Sequence, residues 1–114
     1  MEIAGRTFND YHVVDVVGKI DRLKDSIVLK SYFNTLLEKD VSRVAMNLAG
    51  VTYLDSGGLN VLIYCNNALR KRNGSFVLIE PNEYVRDVLE VVGLHKLVKI
   101  YEREEEFQND AKAS

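Results

Sequence analysis

Short β-branched runs alternate along this chain with longer segments whose apolar residues recur at helical spacing. That alternation is the constraint that excludes most folds. Tyr11 to Val17 is rich in valine and ends at Gly18, and with Glu2 to Thr7 it forms a hairpin around Asn9-Asp10. From Asp25 to Glu38, Ile27, Leu29, Tyr32, Phe33, Leu36 and Leu37 mark an amphipathic helix, with Asp25 or Ser26 as its start signal. Val41 to Leu48 reads as a mostly buried strand, and a short loop from Ala49 leads to Val51-Thr52-Tyr53-Leu54 and then Asp55-Ser56-Gly57-Gly58. A second helix is expected over Leu59 to Arg72, stopped by Asn73-Gly74, where positive φ is accessible. Ser75 to Glu80 is a strand ended by Pro81, Glu83 to Val92 is a third helix ended by Gly93, and Val98 to Tyr101 is a last short strand. Glu102 to Ser114 reads as a charged tail with helical character near Phe107.

Strand–helix alternation after an opening hairpin implies βαβ units: an α/β fold with a mixed, largely parallel sheet and helices packed on it. No repeat or linker divides the chain, so 1–114 is expected to form one domain, with a charged C-terminal tail at about 108–114. Fifteen Lys and Arg against seventeen Asp and Glu give a net charge of −2, without the basic excess of a nucleic-acid binder. No apolar run reaches the ~20 residues of a membrane span, so no membrane insertion is expected. The absence of a signal peptide and the single Cys65 point to a reducing cytoplasm. His12, His95 and Cys65 are isolated, so no metal site and no cofactor is expected.

Functional loops of parallel sheets lie at the carboxyl ends of the strands, and Asp55-Ser56-Gly57-Gly58 is such a loop. A hydroxyl at Ser56 would sit near the positive end of the helix macrodipole, and Gly57 and Gly58 would let a partner or a phosphate approach the backbone. Asp and Ser are equally the commonest helix N-caps, so capping alone explains either residue. Catalysis is not indicated, because neither histidine is tied to Ser56 and both the Gly-x-Ser-x-Gly elbow and the Gly-Lys-Ser of a P-loop are missing. On the second helix Asn60, Tyr64, Asn67 and Lys71 share one stripe, where Tyr64 fits either an exposed contact or core packing. Arg70-Lys71-Arg72 reads as a solvated helix end, Glu102 to Glu106 as a solvated face, and Cys65 as a core residue.

These pieces in this order resemble the STAS domain of the anti-sigma factor antagonist family. Gly18-Lys19-Ile20-Asp21 is similar to the family's Gly-acidic-Leu-Asp turn, and Tyr53-Leu54-Asp55-Ser56-Gly57-Gly58-Leu59 to its Asp-Ser-Ser/Thr-Gly-Leu phosphorylation loop. Asn47-Leu48, Gly74 and Val91-Val92-Gly93-Leu94 also match, and the resemblance covers about residues 2 to 107. It implies a non-enzymatic, cytoplasmic switch that, unphosphorylated, binds an anti-sigma factor that is also an ATP-binding serine kinase, and so releases a sigma factor. A Ser/Thr phosphatase resets it. By position Ser56 matches the phosphoacceptor, Asp55 its acidic neighbour and Asp21 the aspartate of the first turn. The expected partner surface is Asp21, Asp55, Ser56, Gly57, Gly58, Asn60 and Tyr64. Gly57 stands where the family has a second hydroxyl, and Lys19 where it has an acidic residue. Two other readings remain open: a structural STAS subunit of a larger assembly, such as a lipid-transport complex or signalling scaffold, and a nucleotide- or small-molecule-binding domain using the Gly57-Gly58 backbone.

Overall fold

The computed structural model describes residues 1–113. Strands β1 (Glu2–Phe8), β2 (Tyr11–Ile20), β3 (Arg43–Leu54), β4 (Ser75–Ile79) and β5 (Lys99–Tyr101) form one five-stranded sheet in the order β1-β2-β3-β4-β5. β1 is antiparallel to β2, through the expected hairpin at Asn9-Asp10, and every other neighbouring pair is parallel. Spatial order follows chain order, so right-handed crossovers put all connecting helices on the same face. α1 (Leu23–Glu38), α2 (Ser56–Arg70) and α3 (Glu83–Val91) share a core there with Val14, Val16, Ile20, Val44, Met46 and Leu78 of the sheet.

The alternate residues, Val13, Ala45, Val77 and Ile79, face the other way and would be bare without a second cover. α4 (Glu104–Ala113) supplies it, seating the buried Phe107 and Ala111 among Phe8, Tyr11 and Tyr101. The segment read from sequence as a charged tail is therefore, as far as Ala113, a docked helix; Ser114 lies outside the described residues. Nor is Glu102 to Glu106 wholly a solvated face. Glu104 is held by Arg6, 2.6 Å from Nη1, and by the Asn47 side chain, 2.9 Å away.

Other boundaries move for identifiable reasons. Ala49 does not open a loop, because β3 runs twelve residues without a break. Register shifts between Asp15 and Val17 and between Gly18 and Lys19 let β2 stay paired with it, and Gly18 takes φ of 110° there, open to glycine at no steric cost. α1 begins at Leu23 rather than near Asp25. Asp25 instead occupies the third helical position and accepts from the Arg22 backbone N–H at 3.2 Å. Ile27, placed by periodicity on the apolar stripe, is 54% exposed. α2 begins at Ser56 rather than Leu59 and ends at Arg70 rather than Arg72. A 3-10 turn at Leu94–Lys96, absent from the sequence reading, seats Leu94 in the core before β5.

Candidate functional site

Parallel pairing of β2 with β3 brings the two suspected turns together. Ile20 and Leu54 are register partners, and the Asp55 N–H donates to the Ile20 carbonyl at 2.9 Å. Asp21 and Asp55 are therefore the first residues past two paired strand ends, both at the carboxyl edge of the sheet. Side-chain chemistry then divides the labour at the helix start. Asp55, in extended conformation, is the N-cap of α2, and its Oδ1 accepts from the Gly58 N–H at 2.8 Å. Ser56 is the first helical residue, exposed, and its hydroxyl has no hydrogen-bond partner among the described residues. The choice left open by the sequence falls on Asp55 as cap, which leaves Ser56 Oγ free beside the helix end.

The two glycines differ. A side chain at Gly58 would meet Leu54 Cδ1 at 2.6 Å and Ile20 Cγ2 at 2.7 Å, so its missing Cβ serves packing of α2 on the strand ends. Its backbone is buried rather than open to a partner, and its N–H is already taken by Asp55. Gly57 is half-buried beside Ser26 and Asp55. The unspent donors of the first turn are thus the N–H groups of Ser56 and Gly57. Asn60 is exposed one turn below. Tyr64 is not on that open surface: it lies half-buried on the α1–α2 seam, edge-on to Phe33, with its hydroxyl donating to Asn34 Oδ1 and Lys30 Nζ 4.3 Å from its ring centroid. Cys65 is buried, and burial pushes its thiol far above the ordinary range.

Several exposed apolar side chains flank the loop without having been singled out. Tyr53 and Tyr84 stack at 5.7 Å with their rings 15° from parallel, joining the end of β3 to the first turn of α3. Desolvation raises the Tyr84 phenol above its ordinary value, with Tyr53 adding to the effect. Leu23 and Ile27, 77% and 54% exposed, stand on α1, whose Ser26 approaches Gly57. Tyr53 belonged to the motif, but Tyr84 is thirty-one positions away, and no local pattern announces that contact. Among the described residues there is no cluster of His, Cys, Asp or Glu able to hold a metal ion, and no helix long and apolar enough to cross a membrane.

Residues 4–107 match the family model described as the STAS domain. A Thermotoga maritima protein provisionally named an anti-sigma factor antagonist is 30% identical over 98 residues, 81% of this chain and 87% of that protein. The crystal structure of a Thermotoga maritima protein with the same provisional name superposes with a TM-score of 0.85 at 23% identity, covering 96% of this chain and 94% of that one. The Bacillus cell fate determinant SpoIIAA in its phosphorylated form gives 0.75 at 16% identity, over 95% and 98% of the two chains. A family match over nearly the whole length, together with a fold shared with these structures, assigns the chain to the STAS domain family as one of its anti-sigma factor antagonists, which are non-enzymatic regulatory proteins.

Proposed function

We propose that this chain is a phosphorylation-gated binding switch: with Ser56 unmodified it engages an anti-sigma factor that is also an ATP-binding serine kinase, and so frees a sigma factor. Phosphate on Ser56 dissolves that complex, and a Ser/Thr phosphatase restores it, all within the cytoplasm and without direct contact with nucleic acid. One observation carries the reading. Ser56 is exposed at the first position of α2 and its hydroxyl has no hydrogen-bond partner among the described residues, because Asp55 performs the capping. A serine bound as a cap would have to abandon that bond on modification, whereas Ser56 abandons nothing. Phosphate there would meet the free N–H groups of Ser56 and Gly57 and the positive end of the α2 dipole. Support also comes from SpoIIAA, a fold relative whose structure has been solved in a phosphorylated form.

Asp21, Asp55, Gly57 and Asn60 surround the serine, so a partner that covers it also reads them. Tyr64 contributes by holding α1 against α2, and Gly58 by setting how closely α2 approaches the sheet. The test is affinity capture from the source cells with native, Ser56→Ala and Ser56→Asp baits, read by mass spectrometry with phosphosite mapping. The expected result is an ATP-binding kinase retained by the native and Ser56→Ala baits and lost from Ser56→Asp, with phosphate on Ser56 and not on Ser26, Ser31, Ser42 or Ser75. Capture of one stable assembly by all three baits would instead identify a fixed structural subunit.

A further inference from the structure

A net charge of −2 conceals how the charges are distributed. The helices run back against the strands, so the C-terminal ends of α1, α2 and α3 lie beside the amino ends of β3, β4 and β5. That pole carries Lys39, Arg70, Lys71, Arg72, Lys96 and Lys99. The excess of acidic residues lies elsewhere, as at Asp21, Asp55, Glu80 and Glu83 on the carboxyl edge with Ser56. β3 joins the two poles through twelve residues, a separation of roughly 30 Å. The Debye length at physiological ionic strength is about 8 Å, so a charged surface beside one pole does not feel the other.

The basic pole also carries exposed aliphatic side chains. Val91 is 86% exposed, Leu97 58% and Val92 50%. α3 ends there, Gly93 takes φ of 76° and the 3-10 turn follows, so the three stand on one corner of the molecule, while Leu94 and Val98 of the same segment are buried and hold it in place. Lys96 and Lys99 flank Leu97 in the chain. Arg70 lies on the flank of α2 away from α1, since Gly57 beside Ser26 and Tyr64 bonded to Asn34 mark the α1 side. Arg70, Lys71, Lys96 and Lys99 form no ion pair among the described residues. The acid in this corner is Glu90, which shares a hollow with His95, Lys99 and the paired Arg86 and Glu102. Glu38, Asp40 and Asp10 lie farther along the rim, at the α1 end and the hairpin.

We infer that this pole docks on an anionic lipid surface, with Val91, Val92 and Leu97 dipping into the headgroup layer and Arg70, Lys71, Lys96 and Lys99 set against lipid phosphates. Side chains as exposed as Val91 project outward instead of lining a groove, and a bilayer accepts such projections without a shaped counterpart. Aliphatic groups ringed by unpaired basic ones are matched by acyl chains beneath anionic headgroups. Three aliphatic side chains and a few charges make the attachment weak and reversible. Ser56, at the opposite pole, stays turned away from the lipid and open to a protein partner.

Sedimentation with vesicles of phosphatidylcholine alone, and of phosphatidylcholine mixed with phosphatidylglycerol, tests this on the native chain. Binding is expected to the mixed vesicles and not to the neutral ones, and high salt is expected to reverse it. Lys96→Glu and Lys24→Glu change the net charge equally, but Lys24 stands at the start of α1, on the Ser56 pole. Lys96→Glu and Val91→Asp are each expected to lower the partition constant at least about fivefold, and Lys24→Glu less than about twofold, with circular dichroism confirming that all three are folded. Failure of the native chain to bind the mixed vesicles, equal binding to neutral ones, equal losses from the two lysine variants or full retention by Val91→Asp would overturn the inference. So would retention on heparin without retention on the mixed vesicles, which would identify an acidic polymer as the occupant.

Discussion

Asp55 and Ser56 are adjacent, similar in size and both good capping residues, yet they do different work because backbone conformation separates them. Asp55 is extended and turns its carboxylate back to the Gly58 N–H; Ser56 is already helical and points its hydroxyl outward. Removing the cap is therefore expected to destabilise and removing the hydroxyl is not. In denaturant melts Asp55→Ala should cost ~0.5–2 kcal/mol, while Ser56→Ala should stay within about 0.5 kcal/mol of the native protein. Equal losses would show that the serine shares the capping. Gly58→Ala should cost ~1–3 kcal/mol, since its methyl would fall on Ile20 and Leu54 and α2 would have to move. The sequence made the loop legible, because a short polar and glycine-rich segment between a strand and a helix has few other readings. It could not say which residue caps, because composition does not encode φ and ψ. Gly58 was legible as a close approach but not in its direction, toward the sheet rather than toward a partner.

At the scale of elements, β3 and α4 show where local pattern fails. Ala49-Gly50 looked like a break because glycine weakens strands, but the register steps from Asp15–Asn47 to Val17–Gly50, so β3 carries one extra residue there as a bulge and remains a single strand. The helical character of α4 near Phe107 was readable, but its docking was hidden, because the anchoring comes from residues far away: Phe8 and Tyr11 in the hairpin, Tyr101 in β5, and Arg6. Phe107 is 1% exposed, so Phe107→Ala should cost ~3–5 kcal/mol in a chemical melt. A loss below about 1 kcal/mol would mean that α4 is not docked in solution. Arg6 should matter less, roughly 0–1 kcal/mol, because its side chain is 39% exposed. Its contribution carries a pH signature. Hydrogen bonding to Arg6 holds the Glu104 carboxyl below the ordinary range, with Asn47 and Gln108 acting in the same sense. The folded state therefore binds that proton less readily than the unfolded chain. The stabilisation is full above the unfolded value near ~4.3 and disappears as the pH falls through the lower folded value. The difference between native protein and Arg6→Ala should accordingly be largest near neutrality and shrink in acid. A gap independent of pH would assign the Arg6 effect to packing.

On the scale of the whole molecule, the switch is expected to act without refolding. Ser56 sits on the rim, away from both cores, and a phosphate stabilised by the α2 end gives the sheet no reason to rearrange. Amide NMR spectra of the modified and unmodified protein should differ around residues 19–22 and 52–64 and coincide over β4 and the buried face of α3. Shifts spreading through those elements would indicate a global transition. The effect of phosphate appears on docking, where about −1.5 to −2 charges beside Asp55 must be desolvated against a surface shaped for a hydroxyl. That fold and loop were readable from sequence follows from their local, ordered motifs; the partner was not, because its surface lies on another chain. The central claim, that Ser56 gates binding, is tested most directly by titrating the captured kinase calorimetrically into unmodified protein and into protein phosphorylated on Ser56. A penalty of ~3–4 kcal/mol, a few hundred-fold in Kd, is expected. Equal affinity for the two forms would contradict it.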